Sequence, residues 1–163
     1  GGLQMLGKSL EDPYKQESVN DINLFSYPGM NLLPIKTNFG QTKKNKQRKE
    51  IITWPEKKTI VGFEMHYGKS NLINNKNPNI ISLFKNSSLG WILEKKDKSF
   101  IGGTYLHGIF ENDEWRGQWI NNIRKKKGLI ELNLTENNSK KRERLLDLLT
   151  DSFEKNISID NLI

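Results

Sequence analysis

Apolar positions along the chain fall mostly into short runs spaced for strands, with two longer helical periods near the end. The runs Ile51-Ile52-Thr53-Trp54 and Thr59-Ile60-Val61-Gly62-Phe63-Glu64-Met65-His66 mix β-branched and aromatic residues in the pattern of strands. Ile80 to Phe84, Leu89 to Glu94 and Phe100 to Leu106 do the same, with short polar turns between them. Strand alternation places Glu64 and His66 on one face. Helical spacing appears at residues 4–10, after two glycines, and predicts the first turns of a helix entered by a tight bend. Asn112 or Asp113 can cap a second helix through Lys126, with Trp115, Trp119, Ile120 and Ile123 on one side and cations in its last turn. Residues 139–155 predict a third helix that packs through Leu145, Leu149 and Phe153, widened by Leu146 and Leu148. Residues 11–21, 41–49 and 71–78 are polar and predict loops, the second of them strongly basic.

The 163 residues suffice for one domain with a core and are too few for two. No run of 18 apolar residues spans a membrane and no leader is evident, so the expectation is a soluble cytoplasmic protein without a membrane partner. Cysteine is absent, which excludes disulfides and thiolate metal sites within these residues, and no metal-ligand spacing occurs. The net charge of +7 raises nucleic acid as a partner. The basic residues, however, lie in four separate clusters without interleaved aromatics, which predicts solvated surface and no nucleic-acid site.

Candidate chemistry centres on one of the two histidines. In Gly102-Gly103-Thr104-Tyr105-Leu106-His107-Gly108-Ile109-Phe110-Glu111 a strand-like run ends in His-Gly, placing an imidazole at a strand tip where a general base can act. Residues 103–113 resemble the histidine motif of the cobyric acid synthase family, in its C-terminal glutamine amidotransferase domain. Gly1-Gly2-Leu3-Gln4-Met5-Leu6-Gly7 resembles what directly follows that family's nucleophilic cysteine, and Gly62-Phe63-Glu64-Met65-His66-Tyr67-Gly68 resembles its Gly-Tyr-Glu-Ile-His segment. Tyr27 to Thr37 resembles a further family segment, with Met30, Asn31 and Lys36 departing from it.

The resemblance implies an α/β fold of the class I glutamine amidotransferase, flavodoxin-like type: a mixed sheet with flanking helices, its N-terminal strands missing. Residues 1–163 would be the C-terminal part of that domain, cut from a longer protein just after the cysteine. It implies a Cys/His dyad with His107 as general base and acid, Gly1 as an oxyanion N–H donor, and a glutamine pocket near Gln4, Glu64, His66 and Tyr67. Many class I amidotransferases carry a glutamate two residues after the histidine. Ile109 stands there in this chain, and Glu111 is a candidate only if the chain bends back. No cofactor is implied within these residues. ATP and magnesium belong to a synthetase domain elsewhere in the family's chain, which amidates corrin-ring carboxylates with ammonia from glutamine. Without a cysteine these residues alone are expected to be inactive. The alternatives are a stand-alone glutaminase of the lipid II isoglutaminyl synthase type and a noncatalytic amidotransferase-like interaction module. The cobyrinic acid a,c-diamide synthases are disfavoured by Gln4-Met5-Leu6 and Leu106-His107-Gly108.

Overall fold

The computed structural model describes residues 1–17, 25–73, 77–85, 88–97, 99–133 and 137–156. In chain order the elements are α1 (Gly2–Met5), β1 (Ser9–Glu11), β2 (Ser26–Pro28), β3 (Ile35–Ile52), β4 (Lys58–Leu72), β5 (Ile80–Ser82), β6 (Gly90–Glu94), β7 (Phe100–Thr104) and β8 (Leu106–His107). A 3-10 turn (Ile109–Glu111), α2 (Asp113–Lys126) and α3 (Asn138–Asn156) follow. The fold is α/β, with a mixed sheet of order β2-β1-β3-β4-β8 beside an antiparallel sheet of order β5-β6-β7. Among the described strands only the β1–β3 pair is parallel.

The strands at 80–84, 89–94 and 100–106 form close to where the alternation puts them, and α2 and α3 match their expected spans within a residue or two. Two local expectations are corrected. The helix expected over residues 4–10 stops at Met5, and residues 9–11 become β1 because Leu10 pairs with Thr37 on one side and Tyr27 on the other. Non-local sheet pairing here overrides a weak local helical period. The basic stretch 41–49 is not a loop but the middle of β3, paired with β4 across a register shift between Phe39 and Lys44. Four residues intervene on β3 between Phe39↔Gly68 and Lys44↔His66, against one on β4, so the bulge re-aims the basic strand beside His66.

The core gathers Ile35, Ile52 and Ile60 of the long hairpin with Phe84, Trp91, Ile92, Leu106 and Trp115. Trp115 is buried and its indole N–H donates to the Trp54 carbonyl at 2.9 Å, which ties α2 to the end of the hairpin. Asn112 occupies the N-cap position of α2 yet makes no side-chain cap. Its amide instead accepts from the Val61 N–H and donates to the Val61 carbonyl, each at 2.9 Å, and so anchors the helix start to β4.

Among the described residues nothing packs over the face of α3 expected to pack. Leu145, Leu146, Leu148, Leu149 and Phe153 are 55–64% exposed, because no described element lies over them. Residues 18–21 of the loop expected over 11–21 lie outside the described residues. Among the described residues no helix is long and apolar enough to cross a membrane. Trp115→Ala should lower unfolding stability by about 3–5 kcal/mol through the lost aromatic packing. Leu149→Ala should change it by no more than about 0.5 kcal/mol, as expected of an exposed position. Urea unfolding followed by tryptophan fluorescence measures both, and a large loss at Leu149 would show that something covers the α3 face.

Candidate active site

Strand β8 is only two residues long. Phe63 pairs with His107 and Glu64 with Leu106, after which the backward path of the chain leaves β4: the Tyr105 N–H donates to the Leu89 carbonyl beside the other sheet. Beyond Glu64, therefore, β4 and β7 splay apart. The wedge between them is a cavity of about 410 Å³, closed by the first residues of the chain. Gly1, Gly2, Leu3, Gln4 and Leu6 line it from α1, Met65 and His66 from β4, and Gly102 to Tyr105 with His107 from the β7–β8 segment. The absence of a side chain at Gly103 allows this closure, since a β-carbon there would stand 3.0 Å from Leu3.

Of the residues expected in the pocket, Gly1, Gln4, His66 and His107 meet in this one cavity. Gln4 is buried, its carboxamide nitrogen lying over Gly68, where a β-carbon would come within 2.4 Å. A buried hydroxyl chain runs inward from it. Ser70 Oγ lies 2.6 Å from the Tyr105 hydroxyl and 2.6 Å from Thr37 Oγ1. Burial pushes the Tyr105 phenol above its usual range despite the hydrogen bonds from Ser70, Gln4 and Thr37, so it stays neutral and serves as a hydrogen-bonding post.

Glu64 stands behind the pocket and does not line it. It is 1% exposed and surrounded by cations: Arg48 donates to Oε2 through Nε at 2.7 Å and Nη2 at 2.5 Å, and Lys44 Nζ lies 3.4 Å from Oε1. The His66 Nε2 is 2.7 Å from Oε1, and its Nδ1 is 2.5 Å from the Gly68 carbonyl. Burial pushes the Glu64 carboxyl upward, but Arg48, His66 and Lys44 together outweigh it and hold the group below the usual carboxylate range. Both ring nitrogens of His66 thus face protein oxygens, and neither points freely into the cavity. The His66 ring is stacked on Tyr105 with centroids 3.7 Å apart and is held from three directions.

His107 is placed in the opposite way. It is exposed at the cavity, and among the described residues its imidazole has no hydrogen-bond partner; its one ring contact there is a stack on Phe63. Ile109 is buried in the core, and Glu111 has turned back towards Gly108, its carboxyl carbon 3.7 Å from where a β-carbon would sit. Among the described contacts none joins Glu111 to His107. Tyr67 does not line the cavity; it lies on the face of β4 opposite Glu64 and His66, where Lys43 Nζ lies 5.7 Å from its ring. Arg48 and Lys44 escape a reading of the sequence, which assigns them to solvated surface. Among the described residues no cluster of three or more potential metal-binding side chains occurs.

Glu64→Gln should cost about 2–3 kcal/mol at neutral pH, the worth of hydrogen bonds to a charged group. The depressed folded value fixes the sign: the stabilisation is complete above the ordinary carboxylate value and lost as pH falls through the lower folded one. The gap between wild type and Glu64→Gln should then close only in acid, below the ordinary carboxylate value, as read by denaturant unfolding at stepped pH. A gap independent of pH would show that Glu64 is not an ionised strut.

A model of the CobB/CobQ-like glutamine amidotransferase domain matches residues 1–115. Similar curated proteins include the cobyric acid synthases of Prochlorococcus marinus strains NATL1A and NATL2A. Each is 71% identical over 164 residues, covering all of this chain and 33% or 32% of the relative. The cobyric acid synthase of strain AS9601 is 45% identical over 165 residues, covering the whole chain and 32% of its own length. The chain spans about a third of the length of the curated relatives it matches. With its family matched across all eight described strands, the cavity and the histidine segment, the chain belongs to the CobB/CobQ-like glutamine amidotransferase domains, of the kind found in cobyric acid synthase.

Proposed function

We propose that these residues form the C-terminal part of a glutaminase centre on a class I, flavodoxin-like amidotransferase domain, and that the nucleophile is a cysteine directly before Gly1. The observation that carries this reading is the convergence of Gly1, Gln4 and His107 on one cavity although they lie at opposite ends of the matched region. A cysteine joined to Gly1 stands at the mouth of that cavity, within the same wedge as the unbonded imidazole of His107. Its sulfur attacks the side-chain amide carbon of glutamine, and the Gly1 N–H donates to the developing oxyanion. His107 takes the thiol proton and returns it to the leaving nitrogen, so that the C–N bond breaks and ammonia departs from a thioester. It then takes a proton from water, which attacks the thioester; the C–S bond breaks and glutamate leaves as the thiol is restored.

His66 and Glu64 serve this chemistry as a rigid wall and its strut. Gln4, turned inward by Tyr105, supplies the polar lining that orients the amide. Tyr67, facing away, has no part in it. In the longer polypeptide the ammonia passes to an ATP- and magnesium-dependent synthetase domain, which amidates corrin-ring carboxylates of adenosylcobyrinic acid a,c-diamide to give cobyric acid. The lengths and names of the relatives support this acceptor, and no step in the 163 residues passes through ATP or magnesium. The attached-domain reading is favoured over the stand-alone glutaminase because this chain covers only 33% of a relative that is 71% identical to it.

The 163-residue chain has no thiol and should release no glutamate from glutamine. A polypeptide carrying the preceding cysteine should hydrolyse glutamine, and His107→Ala should lower that rate by about a hundredfold or more, the usual contribution of a general base. His66→Ala should act mainly on stability and KM. Glutamate release by the cysteine-free chain, abolished by His107→Ala, would overturn the assignment of the nucleophile.

A further inference from the structure

A histidine that shuttles protons for a thiol must present one ring edge to the sulfur and the leaving group throughout the cycle. In triads a third group fixes that orientation by accepting from the other ring nitrogen. Among the described residues of this chain nothing does so. Ile109 is in the core, Glu111 faces Gly108, and no described carbonyl or carboxylate bonds to either nitrogen of His107. The imidazole has one ring neighbour instead, that of Phe63. The two rings lie nearly parallel, 12° between planes and 4.9 Å between centroids, and their residues are direct register partners in the β4–β8 pair. Neighbours on paired strands share a face, so the backbone pairing itself places one ring over the other.

We infer that Phe63 is the positioning residue of His107, holding the imidazole plane by stacking where triads use an acceptor. This rests on the glutaminase reading above. A flat ring parallel to the imidazole restricts rotation about its outer torsion, because turning the imidazole edge-on loses the stack or drives it into Phe63. The same face suits both states of the base: when His107 carries the thiol proton, its charge lies over the electron-rich face of the ring. Phe63 is 42% exposed and is not among the residues packed in or against the buried core, so burial does not explain an aromatic there. No hydroxyl is needed, since the residue is phenylalanine where the family segment it resembles has tyrosine. The interaction is with the ring face and not with a hydrogen-bonding group.

Two measurements test this. In the 163-residue chain, which has only two histidines, the ring-proton NMR signals of His107 should lie upfield through the Phe63 ring current. They should move downfield in Phe63→Leu and return in Phe63→Tyr, with the His66 signals unmoved. In the cysteine-bearing polypeptide, Phe63→Leu should lower kcat for glutamine hydrolysis roughly two- to tenfold, the range expected for one aromatic pair, with KM unchanged. Phe63→Tyr should recover most of the loss, and Val61→Ala, an exposed neighbour on the same face of β4, should have no effect. Unchanged kcat in Phe63→Leu, a loss confined to KM, or a tyrosine variant as slow as leucine would each overturn the inference. Failure of the underlying reading looks different: the parent polypeptide would then not hydrolyse glutamine, or His107→Ala would be as active as the parent.

Discussion

One buried carboxylate sets the geometry of the site. Glu64 lies in the middle of β4 with almost no solvent contact, and such a group is tolerated as an anion only where opposite charges and hydrogen bonds replace its hydration. Arg48 and Lys44 supply that from β3, and His66 from its own strand two residues on. The requirement works in both directions. It favours the register of the long hairpin after its bulge, because sliding β3 by one residue would turn Arg48 to the other face and break its two-nitrogen contact with Glu64. It also locks His66, and through the stack on Tyr105 it holds the residue at which the chain leaves one sheet for the other.

That departure at Tyr105 makes room for chemistry. A longer β8 would have continued the ladder along β4 and closed the wedge with backbone hydrogen bonds. The two-residue strand instead leaves a gap beyond Leu106, which α1 enters with Leu3 against Gly103. The hydroxyls of Tyr105, Ser70 and Thr37, together with the carboxamide of Gln4, satisfy one another at the bottom of this gap. It can therefore remain polar and water-accessible at its mouth without stranding buried donors at its floor.

Much of this was legible in the sequence, and the remainder has identifiable physical causes. The strand alternation around Glu64 and His66 placed both on one face, and the His-Gly end of the later run put His107 at a strand tip. Both rest on local periodicity. The short α1, the β-structure of the basic stretch and the pairing of Phe63 with His107 are set by partners far along the chain, which local pattern does not encode. Arg48 resembled surface because its lysine-rich surroundings are mostly surface; only the register with β4 distinguishes it and Lys44 from their neighbours. Tyr67 is a different case. It lies next to His66 in sequence but on the opposite face of β4, and it does not border the cavity. The apolar period of α3 correctly marked a helix, but a period shows which face is apolar and not what lies against it.

The two histidines sit in contrasting environments. His66 has a protein oxygen at each nitrogen and a ring on its face, so both nitrogens are engaged and it has little freedom to move. His107 has neither acceptor among the described residues, and it borders the cavity. On the proposed mechanism His107 gains and loses a proton at each turnover, and no described acceptor favours one of its nitrogens over the other. The openness costs orientation. Stacking can restore orientation without biasing one nitrogen over the other, since a ring face contacts both equally. A dyad without a third acid is thus compatible with a well-placed base, provided a parallel aromatic lies beside it on a strand whose register is held elsewhere. Here that register is held by Glu64, the neighbour of Phe63 on the opposite face of β4.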